Sequence, residues 1–180
     1  MAFRPALFGS PLDRLSAWHR LGERQFEALR WLQRADRAAT PEPADRHAAQ
    51  GIVRYFDLSV TVHHRDEEDD LHPALIESMA GSDPVCLREM AESALLAHRA
   101  IEEAWRALRP AIVALSRGEP ATLETGAVEA LVARCQANFA HEDRELLPTA
   151  HRLLDDAALA QLRERFDQRH YDGRGGAGPR

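Results

Sequence analysis

Histidine is frequent in this chain and is spread over several segments. Nine histidines occur among the 180 residues: His19, His47, His63, His64, His72, His98, His141, His151 and His170. The stretch VTVHHRDEEDDLHPAL combines three of them with a run of five acids. His63 and Glu67 are four residues apart, which places both on one face of a helix. Imidazole nitrogens together with carboxylate oxygens suit iron, manganese or zinc, so the spacing points to a metal site.

Long helices must position these residues. Apolar side chains recur with a helical period in four segments, which are separated by proline and glycine. We predict helices over residues 11–38, from the TPEPAD stretch to residue 78, over 85–116 and over 123–150, with Ser10 as the first N-cap. Pro110 should kink the third helix and separate its last one or two turns, and Pro73 and Pro148 should disturb the helices that contain them.

The pattern predicts an all-α protein. No segment alternates like a strand, and four long amphipathic helices with short links predict an antiparallel up-down four-helix bundle with a short C-terminal extra helix. We divide the chain into an N-terminal arm (1–10), the bundle (11–155), the C-terminal helix (156–170) and a disordered tail (171–180).

Helical-wheel positions decide which polar residues face the core. At about 100° per residue, five ionisable side chains fall within the apolar stripes: His19, His63, Glu67, His98 and Glu142. His64, Glu102 and Asn138 lie at stripe edges, and His141 points away. We interpret the acid run, apart from Glu67, as a solvated face.

Convergence of these residues favours metal over a merely structural role. A single histidine in a core is most often a hydrogen-bonded structural residue. A buried carboxylate, however, costs several kcal/mol unless it is paired or metal-bound. Three histidines and two carboxylates near mid-helix therefore indicate a shared site, and two bridging carboxylates would neutralise two divalent ions.

Composition excludes several other classes. A net charge of -6, from 29 acids and 23 bases, disfavours nucleic acid and anionic membranes as partners. No apolar run approaches the roughly 20 residues needed to span a bilayer, and we expect no signal peptide. Cys86 and Cys135 are isolated, so we expect both to be reduced and buried in a cytoplasmic protein. Trp18, Trp31 and Trp105 are expected to pack between helices, and His47, His151 and His170 to lie on the surface.

Four segments together resemble the hemerythrin-like family, the HHE cation-binding domain. The stretch HHRDEEDDLHP is similar to the second-helix signature of the family, with His72 in place of a phenylalanine. EDRELLP is similar to the corresponding half on the fourth helix, and His19 and His98 match the histidines of the first and third helices. The resemblance implies a non-haem di-iron site with the ligands His19, His63, Glu67, His98 and Glu142.

One position departs from the family pattern. Asn138 stands where the family places a histidine, four residues before Glu142. Three outcomes are open: Asn138 or a water takes the place, the helix distorts so that His141 and Glu145 enter the site, or the site holds one metal ion. Glu102 stands where oxygen-carrying members have a second histidine, so it is a further candidate ligand or a partner of one.

The resemblance leads to one main function and two alternatives. The main one is a di-iron protein that binds or senses dioxygen or nitric oxide, or senses iron or redox state, and passes a signal or electrons to a protein partner. The first alternative is a carboxylate-rich di-iron oxidase or peroxidase. The second is a structural module with a partly decayed metal site.

Overall fold

Five helices account for nearly all of the chain that is described. A computed structural model describes residues 9–34, 40–79 and 85–175, with side chains through residue 170. The helices are α1 (Pro11–Arg34), α2 (residues 43–78), α3 (Val85–Arg117), α4 (residues 125–153) and α5 (Asp156–Gly175). These ranges contain no strand, so the predicted all-α class is confirmed.

The start of α1 agrees with the predicted cap. The backbone N–H of Leu12 donates to Ser10 Oγ at 3.3 Å, and the N–H of Ser10 donates to Asp13 Oδ2 at 3.2 Å. These bonds satisfy donors that the first helical turn leaves without partners. The predicted end near residue 38 lies outside the described residues.

Two helices contain wider, π-helical turns, two of which carry the acidic motifs. Within α2, π-helical turns cover Tyr55–Val60 and Asp66–Leu71, and within α4 one covers Glu142–Leu146. Pro73 and Pro148 follow the second and third of these turns within two residues. A proline ring clashes with the carbonyl four residues earlier in a regular α-helix, and a wider turn relieves that clash. Both helices therefore continue past their prolines.

The expected separation of the last one or two turns at Pro110 is wrong. α3 runs from Val85 to Arg117 as one helix with Pro110 inside it. Pro110 and Arg106 both lie on the exposed side, so water can satisfy the carbonyl that loses its partner.

The first four helices pack in a closed ring. α1 contacts α2 and α4, and α3 contacts the same two helices from the other side. α5 packs against α1 and against the π turn Asp66–Leu71. The last helix therefore covers one end of the second.

A polar layer divides the core into two apolar clusters. On α2, Val60 belongs to one cluster and Leu71 to the other, with His63 and Glu67 between them. α4 shows the same order around Glu142, whereas α1 and α3 show the reverse order, with Leu15 and Leu87 of the second cluster before His19 and His98. The core thus brings polar residues from four helices to one level.

Three sequence expectations outside the polar layer need correction. Trp31 is 41% exposed because Leu29 and Leu32 occupy the buried stripe of that part of α1, and Cys86 is exposed beside the buried Leu87. α5 continues to Gly175, beyond the expected end at residue 170, because adding residues to an anchored helix costs less than starting one.

Among the residues that the structure describes, none of the helices has the length and apolar character that a membrane span requires.

A close contact at Gly22 gives a stability prediction. A Cβ there would lie 2.5 Å from Tyr55 Oη and 2.7 Å from Phe139 Cε2. Gly22→Ala should therefore lower the free energy of unfolding by about 1–3 kcal/mol, measured by urea denaturation. Gly126→Ala is the matched control, because its Cβ meets nothing within 4 Å and alanine favours a helix. An equal loss in both variants would contradict this packing.

Candidate metal site

The five residues that fall in the apolar stripes come together in the polar layer. α1 contributes His19, α2 contributes His63 and Glu67, α3 contributes His98 and α4 contributes Glu142. Each is at most 4% exposed. Helical-wheel analysis therefore found the set that the fold brings together.

Glu142 lies at the centre of this set. Its Oε2 atom is 2.6 Å from His19 Nε2 and 3.5 Å from His63 Nε2. Its Oε1 atom is 3.7 Å from His98 Nε2. Imidazoles from three helices thus face one carboxylate.

Glu67 completes a second group of donors on the other side. Its Oε2 is 3.2 Å from His98 Nε2, and its Oε1 is 3.8 Å from His63 Nε2. Two three-residue groups that share Glu142 result, His19 with His63 and Glu142, and Glu67 with His98 and Glu142, and a third group that could hold a metal is His64 with Glu68 and His98. Within each group the donor atoms lie within 4.8 Å of one another.

The inward-facing atoms are buried without hydrogen bonds. They are Nε2 of His19, His63 and His98, both oxygens of Glu67, and Oε2 of Glu142. His19 Nε2 and Glu142 Oε2 are close, yet they do not have the geometry of a hydrogen bond. Buried polar atoms nearly always have partners, and lone pairs that converge on shared space fit a cation. The donor set therefore fits the metal that the sequence pattern implied.

Two further carboxylates hold the outer nitrogens of the imidazoles. Asp143 Oδ1 lies 2.9 Å from His19 Nδ1, and Glu68 Oε1 lies 2.6 Å from His98 Nδ1. A proton on Nδ1 leaves the Nε2 lone pair free for a metal and fixes the ring orientation. We missed both roles in the sequence, although each acid directly follows a predicted ligand, Glu67 or Glu142.

Burial and charge shift the pKa values of the central groups in opposite directions. Burial raises the pKa of Glu142, but the imidazoles of His19, His63 and His98 lower it well below its usual range. The pKa of Glu67 is raised by burial and by the charge of Glu142. Burial lowers the pKa of His98, yet the neighbouring carboxylates raise it to about 10. Protons balance the carboxylates when no metal is bound, so a metal must compete with them.

Asn138 lies against Glu142, whereas His141 and Glu145 do not join the groups. The buried Asn138 donates from Nδ2 to Glu142 Oε1. His141 Nδ1 lies 3.5 Å from Glu145 Oε1, and the Glu145 side chain is 61% exposed. The helix does widen here, but the π turn begins after His141, so that residue stays on the outer face.

His64 lies behind His98 and is more buried than expected. The two rings stack with centroids 3.7 Å apart, and His64 Nδ1 lies 3.6 Å from Glu102 Oε1. Burial and then the charge of His98 hold the pKa of His64 well below its usual range. Glu102 is 51% exposed at its side chain and belongs to none of the donor groups among the described residues. His72 is also buried, which lowers its pKa to about 4.

The expectation that the rest of the acid run is solvated is wrong at two positions. Asp66 is 0% and Asp70 4% exposed, because α5 covers this face and pairs with both. His170, expected on the surface, is buried and lies 2.8 Å from Asp66 Oδ2. His47 and His151 are exposed as expected.

The comparison with protein families agrees with this site. The family model described as hemerythrin HHE cation binding domain matches residues 10–150. The chain therefore belongs to the hemerythrin HHE cation-binding domain family, and the resemblance found in the sequence is confirmed. A search of curated proteins and a search of solved structures each gave no match.

The outer carboxylates should tune the retention of metal. We expect Asp143→Asn and Glu68→Gln each to weaken iron binding about 10- to 100-fold, because a neutral amide holds the Nδ1–H of His19 or His98 more weakly than a carboxylate does. Competition of the iron-loaded protein with a graded series of chelators measures the affinity. Glu145→Gln, an exposed neighbour of the same charge, should bind iron like the wild type. Equal loss in all three would show that charge alone, without orientation, accounts for the effect.

Proposed function

We propose that this chain is a non-haem di-iron protein that binds dioxygen or nitric oxide, or responds to iron or redox state. One observation carries the proposal: two groups of buried donors share the carboxylate of Glu142. A carboxylate between two donor groups is suited to bridging two cations. Iron is the metal inferred from the mixed imidazole and carboxylate set, together with membership of the family.

The proposed ligands divide between two metal positions. His19 and His63 would hold one ion and His98 the other, with Glu67 and Glu142 between them. A pair of reduced irons held by these residues would supply the electrons for reversible binding of a diatomic ligand. The protein side chains set the orientation, and the two apolar clusters on either side keep water away.

Packing around His19 supports a rigid and dry site. The ring of Phe139 stacks on His19 with centroids 4.4 Å apart and at 17°. Asp143 holds the opposite nitrogen, so the imidazole is fixed at both its face and its outer edge. Such preorganisation favours holding a ligand without exchange of the protein donors.

Asn138 bears on the number of metal ions. Its amide Nδ2 donates to Glu142 Oε1, so this nitrogen offers no lone pair to a metal as the family's histidine would. We therefore propose two ions, one of them with one nitrogen ligand fewer than the family pattern gives. A single ion is the alternative if the amide keeps its hydrogen bond and prevents Glu142 from bridging.

The contacts among the first four helices support the predicted four-helix arrangement. Each of α1 to α4 packs mainly on two others of the four, as in an antiparallel up-down bundle, which we propose here. A cytoplasmic location and a redox or signalling partner remain predictions.

The two alternative functions have less support from the geometry. The oxidase or peroxidase hypothesis used Glu102 as an extra ligand, and its exposed side chain points instead to a role beside His64. The decayed-site hypothesis used Asn138, yet five buried donors still converge. A steady-state assay of peroxide consumption separates binding from catalysis, since a binding protein gives only stoichiometric reaction.

Iron loading tests the proposed function directly. We expect two irons per chain after anaerobic loading, and a visible spectrum that changes reversibly with dioxygen and again with azide. Metal binding should raise the melting temperature, because the ligand stabilises only the folded state. Glu142→Gln, which keeps the shape but removes the charge, should lose most of the iron. An iron content near zero in the wild-type protein would refute the proposal.

A further inference from the structure

The C-terminal helix reaches the neighbours of two proposed ligands. α5, Asp156–Gly175, lies beyond the residues 10–150 that the family model matches. Its side chains Arg169 and His170 contact Asp66, which directly precedes Glu67. His170 also stacks on Trp18, which directly precedes His19, with ring centroids 5.9 Å apart.

Asp66 has both oxygens engaged by α5. Arg169 Nη1 donates to Oδ1 at 2.5 Å, and His170 Nε2 lies 2.8 Å from Oδ2. The carboxylate is fully buried, so these contacts replace its hydration. Removing one partner of a buried ion pair leaves an uncompensated charge, which costs far more than losing an exposed pair.

Arg169 joins the two ends of the π turn that carries Glu67. Besides Asp66, it contacts Asp70 through Nη2 at 2.6 Å, and Arg165 adds a contact to Asp70 at 3.2 Å. The turn Asp66–Leu71 contains one residue more than a regular turn would need. A return to α-helical winding would rotate a side chain by about 100°, enough to turn Glu67 away from the site.

The helix itself is anchored independently of Asp66. Phe166 is fully buried, and Arg14 of α1 pairs with Asp167 at 2.6 Å. The guanidinium of Arg14 also lies 5.8 Å from the Phe166 ring centre. α5 is thus fixed to α1, and its contacts with Asp66 hold the second helix in place relative to α1.

We propose that Arg169 and His170 are positioning residues for the metal site. They hold the π turn so that Glu67 faces His98, and through Trp18 they hold the segment of α1 that carries His19. This inference rests on the proposed function, because it concerns ligands of the same metal site. It makes the C-terminal helix part of the metal-binding unit, although the helix supplies no ligand.

Cobalt release tests this proposal with a probe whose visible bands report ligand geometry. The Co²⁺-loaded full chain is mixed with excess chelator well below the melting temperature, and the loss of its bands is followed. We expect Arg169→Gln and His170→Ala to release Co²⁺ about 10-fold faster and to shift the bands. His170→Gln retains a donor for Asp66 and should recover part of the loss.

Arg109→Gln is the matched control. Arg109 pairs with Asp57, which lies in the other π turn of α2, at 2.8 Å, but Asp57 is not adjacent to any proposed ligand. Release from this variant should equal that of the wild-type protein. Unfolding of the metal-free variants is measured in parallel, and release rates that simply follow stability would overturn the proposal.

The remaining outcomes separate the two proposals. A wild-type protein that binds no Co²⁺ and no iron overturns both. Wild-type binding with unchanged release and bands in Arg169→Gln and His170→Ala overturns only the positioning role. If Arg169→Gln does not fold, His170→Ala decides the matter, and failure of both to fold would assign α5 a general structural role and overturn the proposal.

Discussion

Two carboxylates, Glu67 and Glu142, are buried on facing helices within reach of the same imidazoles. Two negative charges in a low-dielectric interior repel each other and lose their hydration, which the fold tolerates only with nearby positive charge. Protons on the histidines can supply that charge, and so can metal ions. The imidazoles of His19, His63 and His98 lie where this constraint requires positive charge.

Two of the three π turns that interrupt the regular helices carry these carboxylates. Glu67 and Glu142 both lie in π turns, each followed shortly by a proline. A π turn lets consecutive acids serve two purposes, since Glu67 faces the interior while Glu68 reaches His98 from behind. Asp143 has the same relation to Glu142 and His19. The segments around Glu67 and Glu142 thus share one local arrangement. They differ four residues earlier, where one has His63 and the other has Asn138.

Sequence periodicity predicted the residues of the site in regular helix and in the π turns alike. His19 and His98 lie in uninterrupted α-helix and Glu67 and Glu142 in π turns, and the helical wheel places all four in the core. The same method failed for Asp66 and Asp70, because a helix about 100 residues later covers them. No local signal reveals the pairing of Asp66 with His170, whose sequence separation is 104 residues. The available clue to Glu68 and Asp143 was that each of these acids directly follows a proposed ligand, Glu67 or Glu142.

We propose that Glu142 would bridge two metal ions. Anomalous diffraction at the iron edge from crystals of the iron-loaded protein would show the ions themselves. We expect two peaks about 3.5 Å apart, one on each side of the Glu142 carboxylate. A single peak, or peaks away from Glu142 such as between His64 and Glu102, would contradict it.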